Sequence, residues 1–462
     1  MKIIILGAGQ VGRTAAYHLA REQSNEVTVV DMNDELLRDL QDRIDIRTLV
    51  GSGSQPSILD AAGAREADIF IALTNSDEVN MVACQIVWSL FNKDSTRIAR
   101  IRSADFARHD KLFADEDRAF AVDVPISPEQ LVTDHVVKLI QYPGALQVLD
   151  FAEGRVRLVG VKALEGGALV GQQLKQLPMH IKGRDARVAA IYRGGQAIKP
   201  EGDTVIDPGD EVFFIAARED IRAVMNEMQK LEDPVRRVVI AGGGNIGFRL
   251  AQHLEAEHQV KLIERDQRRA RRISEQLSNT IVLSGDAADE ELLLEENIDS
   301  ADTFVAVTNA EEANILSAML AKRLGCHKVM ALINRPAYAE LVESGSIDVA
   351  LSPQQVTIGS LLAHVRRGDV VRVHSLRRGA AEAIEAVAHG TQGEGRVIGR
   401  RIENIPLPEG TTIGAIVRGD EVIIAHHDTV IQRDDHVILF LTDRRHVEAV
   451  ERLFDVPRRK AR

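Results

Sequence analysis

Gly7, Gly9 and Gly12 stand in GxGxxG spacing, directly behind the apolar run KIIIL and ahead of a helical pattern. That setting suits a dinucleotide. The first glycine permits a tight turn, the second lets the backbone approach a pyrophosphate, and the third lets helix and strand pack closely. The helix N-terminus then faces the phosphate charge. Asp31 closes the next apolar run, 19 residues after Gly12, where a carboxylate accepts hydrogen bonds from ribose hydroxyls. Gly242, Gly244, Gly247 and Glu264 repeat the arrangement. One such motif is weak evidence, since glycines also make turns that bind nothing. Two copies, each with strand, helix and acid, point to two nucleotide sites.

The acids favour NAD(H) over NADP(H), because a carboxylate repels a 2′-phosphate. Arg265, Arg268 and Arg269 weaken that inference at the second site, although a run from Arg268 to Arg272 also reads as a solvated helix face. ATP and ADP carry the same adenosine and stay open. Gln10 and Asn245 beside the phosphates are uncharged, whereas a γ-phosphate favours a cation; Arg13 can supply one or face solvent. The fourth apolar run ends in Leu73-Thr74-Asn75 and its copy in Val307-Thr308-Asn309, over the crevice at the carboxyl ends of the strands. Two readings stay open there: bonds to ribose or phosphate, and capping of the next helix by Asn75 or Ser76. Arg100, on the fifth run, is within reach of a phosphate. Leu332 stands at its counterpart, so the two sites should differ.

Catalytic chemistry is harder to find. A dehydrogenase needs a positioned acid or base beside its cofactor. The 14 histidines scatter, and the densest group, His426-His427-Asp428, is not repeated in the other half. Neither HExxH nor GxSxG occurs. The two cysteines, Cys84 and Cys326, lie far apart with no CxxC, which argues against cysteine zinc sites and disulfide scaffolds. Cys84 sits among apolar residues and reads as an inert buried thiol. An NAD-linked oxidoreductase with two cofactor domains is the alternative function; the favoured one is a protein that senses its nucleotide.

The elements that position these residues come in two sets. KIIILGAGQVG (2–12) is answered by RVVIAGGGNIG (237–247), and IFIALTNSDEVNM (69–81) by TFVAVTNAEEANI (303–315). SPEQ at Ser127 is answered by SPQQ at Ser352, and AAIYRGG by GAIVRGD. The order never changes, so the chain is a tandem duplication. Alternating apolar runs and helical patterns predict a doubly wound parallel α/β sheet, a Rossmann-like domain, over 1–124 and again over 233–350. Single-faced crossover helices are expected at 125–143 and 351–368, followed by small α+β subdomains at 144–232 and 369–455 and a basic tail at 456–462. Val132, Val136, Leu139 and Ile140 share one helix face, as do Ile358, Leu361, Leu362 and Val365. A neighbouring subunit is the expected cover for both faces.

The 462 residues are 45% apolar and 27% charged, with 57 Lys and Arg against 69 Asp and Glu, a formal charge of −12. That excludes a general nucleic-acid binder, which needs a basic footprint. No apolar run approaches membrane-spanning length, and the first residues run into a glycine loop rather than a signal peptide, so the expected compartment is the cytosol.

GAGQVG with Asp31, LTNSDEVNM, the SPEQ helix and the small α+β unit together resemble the domains that regulate potassium conductance, the RCK domains. The tandem pair, with YPGALQV, SPQQ, SLRRGAAEAIEAVAHG and FLTDRRHVEAVERLF, is similar to the TrkA family, the peripheral NAD-binding subunits of bacterial Trk potassium uptake systems. The resemblance spans almost the whole chain. It implies no enzymatic activity, and the residues themselves offer no metal site. It implies a homo-oligomer, a dimer or tetramer ring, on the cytoplasmic face of the inner membrane under a TrkH-like potassium-translocating subunit. NAD(H), ATP and ADP are its implied effectors. It carries over Gly7, Ala8, Gly9, Gln10, Val11, Asp31, Leu73 and Thr74 as nucleotide contacts, and Gly242, Gly243, Gly244, Asn245, Ile246 and Glu264 in the second half.

Overall fold

A computed structural model describes residues 1–21, 25–107, 109–113, 119–181, 183–229, 234–342, 347–365, 369–376, 381–390 and 397–454. The basic tail and residues 377–380 of the SLRRGAAEAIEAVAHG block lie outside the described residues.

The first run of apolar segments forms β1 (Lys2–Leu6), β2 (Glu26–Asp31), β3 (Arg47–Val50), β4 (Ile69–Ala72), β5 (Thr96–Arg100) and β6 (Val124–Ile126). They make one parallel sheet in the order β3-β2-β1-β4-β5-β6. Between them run α1 (Gln10–Ala20), α2 (Asp34–Gln41), α3 (Pro56–Ala62), α4 (Asp77–Ile86) and α5 (Ala104–Ala107). β1 and β4 are central and covered on both sides, which is why KIIIL and IFIA are unbroken apolar runs rather than alternating ones. The sheet order reverses between β1 and β4, and that reversal opens the crevice outside their carboxyl ends.

α6 (Pro128–Gln141) leads into an antiparallel sheet of β7 (Ala145–Phe151), β8 (Val156–Lys162), β9 (Ala186–Arg193), β10 (Gln196–Ile198) and β11 (Glu211–Ala217), ordered β10-β9-β11-β8-β7. The short α7 (Leu177–His180) and α8 (Ile221–Met228) complete it. The second half repeats the plan. β12 (Arg237–Ala241), β13 (Gln259–Glu264), β14 (Ile281–Ser284), β15 (Thr303–Ala306), β16 (Lys328–Leu332) and β17 (Val349–Leu351) are again parallel, in the order β14-β13-β12-β15-β16-β17. Their helices are α9 (Asn245–Leu254), α10 (Gln267–Ser274), α11 (Glu290–Glu295), α12 (Glu311–Arg323) and α13 (Pro336–Val342). After α14 (Pro353–Val365) come β18 (Val370–Leu376), β19 (Ala381–Val387), β20 (Thr411–Arg418), β21 (Glu421–Ile424) and β22 (His436–Leu441), ordered β18-β19-β22-β20-β21, and α15 (Val447–Phe454). The fold class is the one the alternation predicts.

Two compact units divide the chain, and they do not follow the repeat. The first is residues 1–131 with 353–365, and the second is 132–352 with 366–462. In the first unit α14 lies against α1, where Thr14 Oγ1 is 3.0 Å from Gln354 Oε1. Ile358, Leu361, Leu362 and Val365 are at most 2% exposed. In the second unit Val132, Val136, Leu139 and Ile140 of α6 join one core with Leu250, Ala251 and Leu254 of α9 and with the inner side of the first antiparallel sheet. Both crossover faces are therefore covered inside one chain. This corrects the expectation of a neighbouring subunit: an apolar helix face states that it needs cover, and the duplication supplies that cover from the other half.

The two antiparallel sheets share a second core within the same unit, with Phe151, Leu158, Phe213 and Ile215 against Ala383, Ala415, Val417 and Phe440. Glu385 crosses this core: its Oε2 accepts from Ala152 N–H at 2.9 Å and its Oε1 meets His436 Nδ1 at 2.6 Å. Each sheet also has its own lock. Arg193 reaches both carboxylate oxygens of buried Asp210 at 2.8 Å, and Arg418 does the same to buried Asp435 at 2.9 Å. These are the arginines of the repeated AAIYRGG and GAIVRGD segments.

Candidate functional site

Gly7 and Gly242 hold φ of +102° and +107°, the left-handed region that a side chain disfavours. That conformation turns the chain sharply out of β1 and β12. Gly12 and Gly247 are required by contact instead, since a methyl on either would stand within 2 Å of the carbonyl oxygen of Gly7 or Gly242. Gly9 and Gly244 differ from both. Each precedes its helix with an ordinary negative φ, and a methyl there would meet nothing within 4 Å. The protein itself does not exclude a side chain at these two positions. The open space over them is the surface a pyrophosphate needs. The helices behind the loops also fit an anion: α1 and α9 have no side-chain cap and no acid in the first turn. By contrast α2 and α4 are capped by Asn33 and Ser76. The leading N–H groups of α1 and α9 are thus not taken up by a capping side chain.

Asp31 closes β2 beside the loop. Its Oδ2 accepts from Ala8 N–H at 2.6 Å and its Oδ1 from Asn33 N–H at 2.8 Å, and the residue is half-buried. Glu264 does the same at the second site, accepting from Gly243 N–H at 2.9 Å and Asp266 N–H at 2.8 Å. Arg269 Nη1 stands 3.8 Å from Glu264 Oε2, while Arg265 and Arg268 are exposed. Gln10, Val11, Asn245 and Ile246 occupy the first turns of their helices.

The backbone of Gly7 abuts Leu73 and Thr74, so the structure brings these three together, and Gly242 meets Thr308, next to Val307, likewise. Thr74 Oγ1 is 2.7 Å from Asn80 Oδ1 and 3.1 Å from the Ser76 carbonyl, and Asn80 Nδ2 donates to the Arg100 carbonyl at 2.9 Å. In the second half Asn314 makes the same bonds to Thr308 and to the Leu332 carbonyl. Both asparagines are fully buried. They tie the ends of β4 and β15 to β5 and β16, a role that the sequence analysis does not assign to them. The signal available was their identical place in the two TN repeats. Ser76, whose Oγ accepts from Val79 N–H at 3.2 Å, caps α4, so the capping reading holds for Ser76. Arg100 lies two strands away from β1, and its Nη2 donates to Glu129 Oε1 at 3.0 Å, where Arg102 Nε also donates at 2.9 Å. Arg13 pairs with Asp39 at 3.2 Å.

Among the described residues no group of three or more His, Cys, Asp or Glu is arranged to hold a metal. His426 Nε2 faces Asp185 Oδ2 at 3.2 Å on an exposed surface. Burial pushes the Cys84 thiol far up and Cys326 to about 12, so neither is a nucleophile at neutral pH.

Models of the TrkA-N domain match residues 3–117 and 238–353, and models of the TrkA-C domain match 158–229 and 394–455. The chain belongs to the TrkA family. The Trk system potassium uptake protein TrkA of Halomonas elongata is 59% identical over 456 residues, 99% of each chain. Its namesake in Vibrio alginolyticus is 58% identical over 455 residues, 98% of each. These relatives are named for potassium uptake, not for an enzymatic reaction. Among solved structures, the GsuK RCK domain superposes with a TM-score of 0.61 at 18% identity, covering 98% of this chain and 94% of that one. The GsuK channel bound to NAD gives 0.61 at 18%, covering 97% and 78%. At that identity the likeness establishes the RCK-type fold.

Proposed function

We propose that this protein is the nucleotide-sensing regulatory subunit of a potassium uptake system. It binds NAD(H), and also ATP or ADP, at two glycine loops, and it gates a TrkH-like integral membrane subunit that moves the ion. It acts as a homo-oligomeric ring, peripheral on the cytoplasmic face of the inner membrane. No described helix is long and apolar enough to cross a membrane. The observation that carries the reading is the open space over Gly9 and Gly244, each beside an uncapped helix and a strand-end acid. The family's potassium-uptake proteins and the NAD-bound GsuK channel support it.

In this reading the N–H groups of the glycine loops and of the first turns of α1 and α9 hold the phosphates, and Asp31 and Glu264 orient the riboses. Leu73, Thr74, Val307 and Thr308 wall the crevice. Arg100 contributes at the first site only if its bond to Glu129 is exchanged for a phosphate. α1 links ligand to scaffold: Thr14 Oγ1 is 2.9 Å from the Gln10 carbonyl and touches Gln354 at the start of α14. A shift of α1 is felt at once by a helix of the other half.

A nucleotide moves such an assembly only by the difference in its affinity for two states. Going from mostly closed to mostly open takes on the order of 3–5 kcal/mol, about 1 kcal/mol per site over four sites. The test is potassium flux in proteoliposomes holding the membrane partner and this protein, under NAD+, NADH, ATP and ADP in turn, with nucleotide recovered and quantified. Flux should change with nucleotide while the nucleotide survives. Flux indifferent to all four, or stoichiometric conversion of NADH to NAD+, would overturn the proposal.

A further inference from the structure

The strand-end acids differ in length by one methylene, and the loop residues they hold differ by one methyl. Asp31 spans Ala8 N and Asn33 N; Glu264 spans Gly243 N and Asp266 N, the equivalent two donors. Glutamate must lodge an extra methylene between the same two points. The room comes from the loop. A methyl on Gly243 would stand 3.0 Å from Glu264 Oε2 and 2.5 Å from Ile273 Cδ1. Backbone conformation is not what excludes it, because Gly243 is not among the positive-φ glycines. The acid also ends more enclosed: Glu264 is 7% exposed, whereas Asp31 is half-buried.

We infer that Gly243 is a positioning residue for the second nucleotide site, where the missing side chain lets Glu264 lie against the loop. Ala8 with Asp31, and Gly243 with Glu264, each form a matched pair that tolerates joint exchange and not exchange of the loop residue alone. The consequence for ligand rests on the nucleotide reading above: the second acid offers a ribose less open carboxylate than the first, so the two sites differ in affinity through these pairs.

The test uses the full chain carrying Gly9→Asp, which leaves only the second loop open to nucleotide. Melting temperature without ligand reads the packing, and calorimetric titration with NADH reads the site. Gly243→Ala should lower the melting temperature by about 1–3 °C and weaken NADH about tenfold, the ordinary size of an overpacking effect in a chain of this length. Adding Glu264→Asp should restore the NADH affinity to the value of Glu264→Asp alone and recover part of the melting temperature, because aspartate coexists with alanine at the first site and the Ile273 contact remains. Adding Ile273→Val instead removes the Cδ1 that a methyl on Gly243 would meet at 2.5 Å, so it should recover part of the melting temperature and leave the NADH affinity low. Gly243→Ala indistinguishable from its parent, or rescue of the NADH affinity by Ile273→Val and not by Glu264→Asp, overturns the pairing. A parent that binds no NADH overturns the second loop as a nucleotide site, and the melting-temperature cycle still decides the pairing.

Discussion

Asp31 has both carboxylate oxygens on backbone donors, one holding the glycine loop and the other the turn into α2. An ionised carboxylate accepts about four hydrogen bonds, and these contacts use two, so a half-buried Asp31 retains capacity for a ribose. Asp31→Ala removes both the ribose acceptor and the brace on Ala8. A hydrogen bond to a charged group contributes about 1.5–3 kcal/mol, so NADH affinity at the first site should fall tenfold or more. Calorimetry on the full chain with Gly244→Asp blocking the second loop measures it, and an unchanged dissociation constant would mean that Asp31 does not read the ribose. The acids were legible in the sequence because a strand end and a fixed spacing place them. Asn80 and Asn314 were not, because a polar residue on an amphipathic helix looks solvated until the neighbouring strand's carbonyl is in view. Arg100 shows a related limit: its charge is visible in the sequence, and its bond to Glu129 is not.

Helices show the same limit one scale up. The spacing of Ile358, Leu361, Leu362 and Val365 fixes which face of α14 is apolar, and the structure buries that face as the periodicity requires. It does not fix what covers it, because that choice depends on packing between segments more than 300 residues apart in sequence, such as Thr14 and Gln354. With each large aliphatic side chain contributing about 1.5–3 kcal/mol on burial, this face is a principal fastening of the first unit. Leu362→Asp places a carboxylate where the leucine is 1% exposed, at a cost on the order of 4 kcal/mol or more. It should therefore lower the melting temperature of the chain itself, whatever its effect on assembly. His364→Lys, at an exposed position of the same helix, should change it little. A sizing column that reports dissociated but fully folded Leu362→Asp protein, with an unshifted melting curve, would return the apolar face to a contact between subunits.

At the scale of the whole chain the duplication is read easily and its consequence is not. Repeated motifs suggest two self-sufficient halves, 1–232 and 233–462. The compact units cut across them, since α14 of the second half belongs with the first parallel sheet, and α6 from Val132 onward belongs with the second. The antiparallel sheets add to the dependence, because Phe213 of one half and Phe440 of the other stand with ring centroids 6.4 Å apart in one shared core. A half made alone would expose these surfaces, together with the α1 surface that α14 covers. Exposed apolar patches of that kind drive aggregation. Residues 1–232 and 233–462 produced separately should therefore aggregate or bind a hydrophobic dye, whereas the two produced together should copurify one to one and recover NADH binding. Soluble, monomeric 1–232 with the full chain's affinity at the first loop would refute the interlock. If both loops bind nucleotide as proposed, the interlock argues against two independent sensors. α1 packs on α14, and α14 follows β17 of the second parallel sheet in the chain. Under the proposed nucleotide-sensing function, α1 links the first loop to α14, a helix of the second half, so differential affinity at the first site acts beyond its own repeat.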